Sequence, residues 1–244
     1  MRDDGWDKSA KAWIADMGEA GDYGRQYVLD PPMVARLRLL PPGRALDVGC
    51  GEGRFCRILR REGFDPVGLD PTLELLDAAR TRDPEGVYVE GRAEALGFPD
   101  ASFDLVVSCL SLIDIAPAEA AIAEMVRVLR PGGTLLVANL TSFSTARVND
   151  GWQRGPLGQK THFAIDRYLE PRAERQSWRG IEIVNWHRPL KDYMQWFLGQ
   201  GLVLTHFDEP APVGGPPERG DSYRRAPWYV IMEWRRPSSD AGGV

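Results

Sequence analysis

The chain has 244 residues, of which 43% are hydrophobic and 27% charged, and its formal net charge at pH 7 is −5. This length suits one α/β domain of generous size, or a core domain with an insertion. The composition argues against a nucleic-acid-binding protein, which would usually carry a basic stripe, against an extended disordered chain, and against a membrane-spanning protein, since no apolar run approaches the roughly 20 residues that span a bilayer.

Segment 1–40 is rich in aromatic residues and glycine and predicts two helices, about 6–17 and 23–39, with Pro31-Pro32 interrupting the second. From residue 41, predicted strands alternate with predicted helices, which indicates a parallel sheet with helices on both faces. The predicted strands are 44–48, 66–69, 87–90, 103–110 and 134–139, and the predicted helices between them are 55–62, 73–80 and 117–129.

The alternation breaks at about residue 141. Segment 141–188 mixes aromatic and charged residues, and we expect an insertion that packs over a substrate. A helix is predicted at about 189–199, followed by strands at 202–207 and 228–234 and a disordered tail at 237–244. The linker 209–227 is rich in proline and glycine, shows no periodicity and is too short for a crossover helix, which predicts antiparallel pairing of the last two strands.

Three cysteines, Cys50, Cys56 and Cys109, occur without a CxxC pair or a Cys/His cluster. An odd count in a chain of this size argues against a disulfide framework, and the histidines lie far apart in sequence, so no metal site is predicted. The N-terminus lacks the apolar centre of a signal peptide. We therefore expect a reduced, soluble protein of the cytoplasm.

The segment Leu46-Asp47-Val48-Gly49-Cys50-Gly51-Glu52-Gly53 joins a predicted strand to a predicted helix through three glycines at every second position. Such a turn lets a ligand approach bare backbone beside the unpaired N–H groups of a helix start. Arg54 stands where the dinucleotide fingerprint has its third glycine, which argues against NAD or FAD. Asp70 ends the next strand, where it either accepts hydrogen bonds from ribose hydroxyls or caps the following helix.

The chain resembles the class I S-adenosylmethionine-dependent methyltransferases, in particular the small-molecule group that includes the ubiquinone/menaquinone-type enzymes. The matching motifs, in order, are the glycine segment above, Val67-Gly68-Leu69-Asp70, Gly91-Arg92-Ala93-Glu94-Ala95-Leu96-Gly97-Phe98-Pro99-Asp100, Ser102-Phe103-Asp104-Leu105-Val106 and Arg127-Val128-Leu129-Arg130-Pro131-Gly132-Gly133. The resemblance implies an α/β, Rossmann-like seven-stranded sheet with strand seven antiparallel. It also implies S-adenosylmethionine as cofactor and S-adenosylhomocysteine as product.

The resemblance also implies individual roles. Asp47 and the turn residues Gly49, Cys50, Gly51 and Gly53 would hold the methionine part, Asp70 the ribose, Pro71 and the backbone of Ala93 the adenine, and Ser108 would lie near the methionyl group. Arg92 departs from the family, which usually has an aspartate that accepts from the adenine amino group. Glu94 or backbone carbonyls would take over, packing alone would hold the ring, or Arg92 simply points to solvent.

Two residues of the N-terminal segment are further candidates for cofactor contacts. Arg25 is a candidate clamp for the cofactor's carboxylate, with Tyr23 closing over it, although an exposed arginine on an amphipathic helix fits the same pattern. We therefore expect one domain over 1–244: a helical lid (1–40), a cofactor-binding core (41–140), a substrate cap (141–188), a C-terminal helix and strand pair (189–236) and the tail.

Candidates for catalysis are weaker in the sequence. His162 and His187 are candidate general bases, because an unperturbed histidine titrates near neutral pH, and Tyr168 is a candidate for orienting a substrate. Packing roles compete for all three. No metal ligand is assigned.

These patterns favour methyl transfer to an oxygen or nitrogen of a small organic molecule. The alternatives are a methyltransferase acting on a protein or tRNA, and a non-catalytic module that only binds the cofactor. The expected partner is a small-molecule substrate, with no nucleic acid and no membrane, and the chain is expected to be a monomer or homodimer.

Overall fold

A seven-stranded sheet forms the centre of the computed structural model, which describes residues 4–238. Its strands are β1 Arg44–Val48, β2 Asp65–Asp70, β3 Val87–Glu90, β4 Phe103–Cys109, β5 Leu129–Leu140, β10 Val203–Asp208 and β11 Tyr229–Arg235. Their order is β10-β11-β5-β4-β1-β2-β3. Strand β11 is antiparallel to both neighbours and the other pairs are parallel, which confirms the predicted topology.

Helices cover both faces of this sheet. They are α1 Trp6–Met17, α2 Asp30–Leu37, α3 Arg54–Arg61, α4 Leu73–Arg82, α5 Ala118–Val128, α6 Ser142–Thr145, α7 Leu190–Gly199 and α8 Pro217–Arg225. A π-helical turn, Arg25–Leu29, leads directly into α2. Within residues 4–238, no helix is both long and apolar enough to cross a bilayer.

The core has two halves because successive strand residues point to opposite faces. On β5, Leu135 and Val137 pack into the half that α5 and α7 cover, whereas Leu136 packs into the half that α2 and α3 cover. The largest buried pair is Phe197 and Trp234, whose rings stack at 4.9 Å between centroids. Burial on both faces explains why the central strands read as continuous apolar runs.

Two antiparallel hairpins make up most of the segment 141–188. The first pairs β6 Arg147–Arg154 with β7 Lys160–Ile165, and the second pairs β8 Arg172–Trp178 with β9 Ile181–His187. Helix α1 packs on β9, where Ser9 Oγ donates to the Glu182 carbonyl at 2.9 Å. The first hairpin instead contacts the region of α8, where the Arg225 guanidinium lies 4.6 Å from the centre of the Trp152 ring.

The structure adds detail at two places. In linker 209–227, helix α8 forms and is held by stacking of Tyr223 on Tyr23 and Tyr229. At Pro31-Pro32 the predicted helix changes from the π-helical turn to α2, and both prolines lie in the first turn of α2, where a missing N–H costs no intrahelical bond.

One predicted boundary is wrong, because strand β5, predicted at 134–139, begins at Leu129. Gly132 has a φ of +76° beside a shift in register against β4, which fits an irregular strand start. Of the tail predicted to be disordered, 239–244 lie outside the described residues.

Candidate functional site

A cavity of about 380 Å³ opens at the carboxyl ends of β1, β2 and β4. Open α/β sheets place their ligands at this edge. Its walls come from the glycine turn after β1, the loops after β2, β3 and β4, helix α1, the π-helical turn and strand β9. The predicted cofactor residues that line it are Arg25, Asp47, Gly49, Cys50, Gly51, Asp70, Pro71, Ala93 and Glu94.

Hydrogen bonds to the end of β2 hold the glycine turn in place. The N–H groups of Gly49 and Cys50 both donate to the Leu69 carbonyl, at 2.7 and 3.0 Å. Gly49 has a φ of +76°, and a Cβ there would lie 2.4 Å from the Ser111 Cβ, so only glycine fits. Gly51 also has a positive φ, but a Cβ there would have no protein atom within 4 Å. The turn is therefore packed at Gly49 and open at Gly51.

Asp70 ties the two strand ends together. Its Oδ2 accepts from the Gly51 N–H at 2.9 Å and its Oδ1 accepts from the Thr72 N–H at 2.8 Å. A carboxylate can accept about four hydrogen bonds, and Asp70 also lines the cavity. The capping and ribose-binding roles are thus compatible at this residue.

Asp47 is a buried carboxyl group with an unused acceptor. Its side chain is 1% exposed, Oδ2 accepts from the Cys56 thiol at 3.4 Å, and Oδ1 has no hydrogen-bond partner among residues 4–238. Burial raises the pKa of Asp47 from its ordinary 3.8 to about 7, the Cys56 hydrogen bond opposes the rise, and the charges of Asp70 and Glu52 add to it. The cavity therefore has an acceptor that protonates near neutral pH.

Arg25 lines another part of the cavity, under a tryptophan from α1. Its guanidinium carbon lies 4.9 Å from the centre of the Trp13 ring, and its Nη1 donates to Asp22 Oδ2 at 2.9 Å. Burial lowers the pKa of Arg25, but the charge of Asp22 raises it, and the net shift is upward. Arg25 is therefore a permanently charged donor at the cavity wall, suited to a carboxylate.

On the wall formed by the loop after β3, Arg92 and Glu94 form an ion pair with each other. The Arg92 side chain is 53% exposed, although the residue also lines the cavity. Arg92 thus occupies one carboxylate oxygen of Glu94. Ala93 lines the same wall and is buried.

Three predicted cofactor residues do not line the cavity. Tyr23 stacks on Tyr223 instead, and a Cβ on Gly53 would lie 2.6 Å from the Tyr88 hydroxyl. Ser108 is fully buried one layer below, and its hydroxyl shares a 2.7 Å hydrogen bond with Ser111, which does line the cavity. Ser108 is therefore joined to the cavity wall through Ser111, whose Oγ donates to the Val48 carbonyl at 2.6 Å.

The candidate catalytic residues also lie away from the cavity walls. His162 is exposed on β7. His187 is 1% exposed, with Nδ1 at 2.7 Å from the Thr145 hydroxyl and Nε2 at 2.9 Å from the Tyr168 carbonyl. Burial lowers the pKa of His187. Tyr168 packs on Phe143. This geometry gives no support to a histidine base, and we do not carry that hypothesis forward.

Sequence reasoning missed several wall residues, of which Asp114 and Arg54 matter most. Asp114 lies in the loop after β4 and carried no motif. Arg54 donates through Nε to the Ala20 carbonyl at 2.7 Å and pairs with Asp30, so it fastens the N-terminal segment to the start of α3. The one sequence signal for Arg54 was its position where the dinucleotide fingerprint has a third glycine.

Comparison with known proteins finds similarity to methyltransferases. Residues 46–137 match the family model described as a methyltransferase domain. A malonyl-[acyl-carrier protein] O-methyltransferase from Serratia marcescens is 38% identical over 139 residues, which cover 55% of this chain and 54% of the relative. A demethylmenaquinone methyltransferase from Beutenbergia cavernae is 37% identical over 137 residues, which cover 56% and 53%. The chain thus spans about half the length of these curated relatives.

The fold has a solved counterpart over most of the chain. The crystal structure of an S-adenosylmethionine dependent methyltransferase from Mesorhizobium loti is 27% identical, with a TM-score of 0.73 over 84% of this chain and 96% of that chain. The motifs, the sheet order and the domain match agree. In these respects the chain resembles S-adenosylmethionine-dependent methyltransferases, most clearly over residues 46–137.

Proposed function

We propose that this protein binds S-adenosylmethionine in the cavity beside the glycine turn and transfers its methyl group to an oxygen or nitrogen of a small organic molecule. The observation that carries the proposal is the convergence of Asp47, Gly51 and Asp70 on one cavity. A buried acceptor without a partner among residues 4–238, an open glycine and a carboxylate at the cavity wall suit a ligand that combines an ammonium group with a ribose.

Each end of the cofactor then has a proposed partner. Asp70 accepts hydrogen bonds from the ribose hydroxyls, while Pro71 and Ala93 border the adenine. Asp47 and the glycine turn hold the methionine part, and Arg25 pairs with its carboxylate. Arg92 stays with Glu94, so packing and backbone groups hold the adenine.

S-Adenosylmethionine supplies an electrophilic methyl group on a sulfonium and leaves as a neutral thioether. The protein's contribution is to align the acceptor with that methyl group and to exclude water, which can be worth roughly 7–11 kcal/mol of the barrier. Trp6, Trp13 and Trp186 line the cavity and give it the apolar surface that such exclusion requires.

The relatives named above differ in the acceptor their names specify, a malonyl group on a carrier protein in one and demethylmenaquinone in the other. We therefore propose only the class of acceptor, a small organic molecule. We further propose that the chain forms one methyltransferase domain, acts in the cytoplasm and functions as a monomer or homodimer.

Calorimetry with S-adenosylmethionine, S-adenosylhomocysteine and NAD tests the cofactor. We expect binding of the two sulfur ligands and none of NAD. Asp70→Ala should weaken S-adenosylhomocysteine binding at least tenfold, and Asp70→Asn should weaken it less. Asp77→Asn, a matched change at an exposed position on α4, should leave it unchanged. Tight binding of NAD without the sulfur ligands would reject the proposal.

Transfer of label from methyl-labelled S-adenosylmethionine into a fractionated metabolite extract then tests the activity. We expect label in a low-molecular-mass fraction that depends on the protein. Label only in protein or tRNA would favour the macromolecular alternative. Cofactor binding without any transfer would indicate a non-catalytic module.

A further inference from the structure

Asp114 is a cavity residue that the proposed cofactor contacts do not use. It lies in the loop 110–117 between β4 and α5, and it lines the cavity. Its Oδ1 accepts from Asn185 Nδ2 on β9. Within residues 4–238 the hydrogen bond of the Asp114 carboxyl group uses Oδ1, which leaves Oδ2 as an acceptor.

The loop that carries Asp114 is fixed by backbone contacts on both sides. The buried Arg188 guanidinium donates to the carbonyls of Leu112 at 3.1 Å, Ile115 at 2.6 Å and Ala116 at 2.9 Å. Strand β9 adds a hydrogen bond from the Trp186 N–H to the Ile113 carbonyl, at 2.6 Å. The carboxylate is therefore held in position before any ligand arrives, as an acid–base group must be.

The surroundings of Asp114 favour a flat, apolar ligand. Tryptophans from α1 and β9 line the same cavity, and the rings of Trp6 and Trp13 lie 5.0 Å apart. The charged groups that act on Asp114 are Arg25 from the π-helical turn, Asp4 before α1 and Asp70 at the end of β2. Apolar rings beside one unused carboxylate oxygen can recognise an aromatic body with a single hydrogen-bond donor.

We infer that Asp114 is the proton acceptor for the methylated group, and that the substrate is a planar, apolar molecule whose acceptor atom is an O–H or N–H. This inference rests on the proposed function and deepens it. Asn185 is a positioning residue, because it holds one carboxylate oxygen and leaves the other for the substrate.

The step balances with groups already named. The acceptor heteroatom gives a lone pair to the methyl carbon, the carbon–sulfur bond breaks with its electrons to sulfur, and the O–H or N–H proton passes to Asp114 Oδ2. A cationic donor, a neutral acceptor and a carboxylate become a neutral thioether, a neutral methylated product and a carboxylic acid. No further reactant is needed.

The direction of the pKa shift of Asp114 also fits a role as proton acceptor. Burial raises the pKa of Asp114 well above its ordinary value, the Asn185 hydrogen bond and Arg25 oppose the rise, and Asp4 and Asp70 add to it. A carboxylate with a raised pKa is a stronger base than an exposed one, and the most efficient base titrates near the working pH.

Binding of three fragments tests the recognition without requiring turnover. Phenol, aniline and toluene share a ring, and only the first two carry a donor. In the presence of saturating S-adenosylhomocysteine at pH 8, ligand-observed NMR should show phenol or aniline binding at least ~5-fold more tightly than toluene, as one hydrogen bond to a charged group implies. The preferred fragment also distinguishes an O–H from an N–H acceptor.

Asp114→Leu should abolish that preference, whereas Asp77→Leu should keep it. Should Asp114→Leu fail to fold, Asp114→Asn with aniline replaces it, since the amide nitrogen offers only donors to the cavity. Equal binding of all three fragments to the wild-type protein, or an unchanged preference in the Asp114 variant, would overturn the inference. Loss of S-adenosylhomocysteine binding by the wild-type protein would instead overturn the proposed function.

Turnover provides a second readout. Asp114→Asn should lower the rate of methyl transfer to the preferred fragment or extracted acceptor at least ~100-fold, the lower end of a typical base contribution, while S-adenosylhomocysteine affinity stays within threefold. Asn185→Ala removes a hydrogen bond that lowers the pKa of Asp114, so the acid limb of its pH–rate profile should move to higher pH. A merely structural role for Asn185 would lower the rate without moving that limb.

Discussion

Replacing Asp47 with asparagine should stabilise the protein at alkaline pH in the absence of ligand. The replacement keeps the size and shape of the side chain but removes a charge that the fold has buried. The folded pKa of about 7 lies above the ordinary 3.8, so the folded state binds this proton more tightly than the unfolded chain. The stabilisation from the proton is full below pH 3.8 and is lost as the pH rises through about 7.

The size of this effect follows from the two pKa values of Asp47. At about 1.36 kcal/mol per pH unit, the wild-type protein loses about 4 kcal/mol between low pH and pH 8, most of it above pH 5. Asparagine has no proton to lose there. The variant should therefore gain about 2–3 kcal/mol over the wild-type protein on going from pH 5 to pH 8.

Urea unfolding of the two proteins at pH 5, 6, 7 and 8, followed by circular dichroism, measures this difference. The control is Asp77→Asn, whose exposed side chain pairs with Arg80 at the surface, and which should show no such trend. A difference between wild-type protein and Asp47→Asn that stays constant from pH 5 to pH 8 would refute the reasoning.

The same carboxyl group should couple ligand binding to pH. A cation placed beside Asp47 favours its ionised form, so binding of S-adenosylhomocysteine through its ammonium should release a proton near neutral pH. Calorimetry in two buffers with different ionisation enthalpies counts that proton. Wild-type affinity should rise between pH 6 and pH 8, and the rise should vanish in Asp47→Asn. An affinity that rises equally in both would place the ammonium elsewhere.

Two further predictions concern the turn and the proposed carboxylate clamp. Gly49→Ala should lower the unfolding free energy by about 1–3 kcal/mol, because its Cβ would lie 2.4 Å from the Ser111 Cβ, whereas Gly51→Ala should lower it by only about 1 kcal/mol. Gly51→Ala should instead weaken S-adenosylhomocysteine binding at least tenfold, and unchanged affinity would mean that the ligand does not approach this backbone. Arg25→Met should weaken S-adenosylhomocysteine at least tenfold but adenosine less than twofold, by loss of a charge-assisted bond of about 1.5–3 kcal/mol. Equal losses for the two ligands would show that Arg25 acts on the fold through Asp22 rather than on the carboxylate.

Local pattern was enough to predict the cofactor side of the fold. Its central strands are buried on both faces and its helices begin at glycine or proline turns, so apolar runs and turn residues mark these elements. The hairpins of segment 141–188 lack such marks. Strand β8 alternates half-buried and exposed residues with charges on it, a pattern that a solvated loop shares. Helix α8 is short and charged, and ring stacking on Tyr23 and Tyr229 supports it.

The side chains of the site also fall into two groups, those placed by local sequence and those placed by contacts with distant residues. The place of Asp70 at the cavity could be predicted because its position at a strand end determines its neighbours. The burial of His187 could not, because it depends on Thr145 and the Tyr168 carbonyl, 42 and 19 residues away. Asp114 was missed for the same reason, since its partner Asn185 is 71 residues distant. A sequence pattern predicts contacts within a strand–turn–helix unit, whereas the chemistry of the acceptor side depends on contacts between such units.

The wall formed by α1 and the β8–β9 hairpin is one packed unit, since Ser9 bonds both the N–H and the carbonyl of Glu182 and Trp13 packs edge-on against Trp178. Substitutions within it change the surface that faces Asp114 without touching the hydrogen bonds that join Asp70 to Gly51. Changes in this unit would therefore alter the acceptor and keep the proposed cofactor site, which fits relatives whose names agree on the reaction and differ on the substrate.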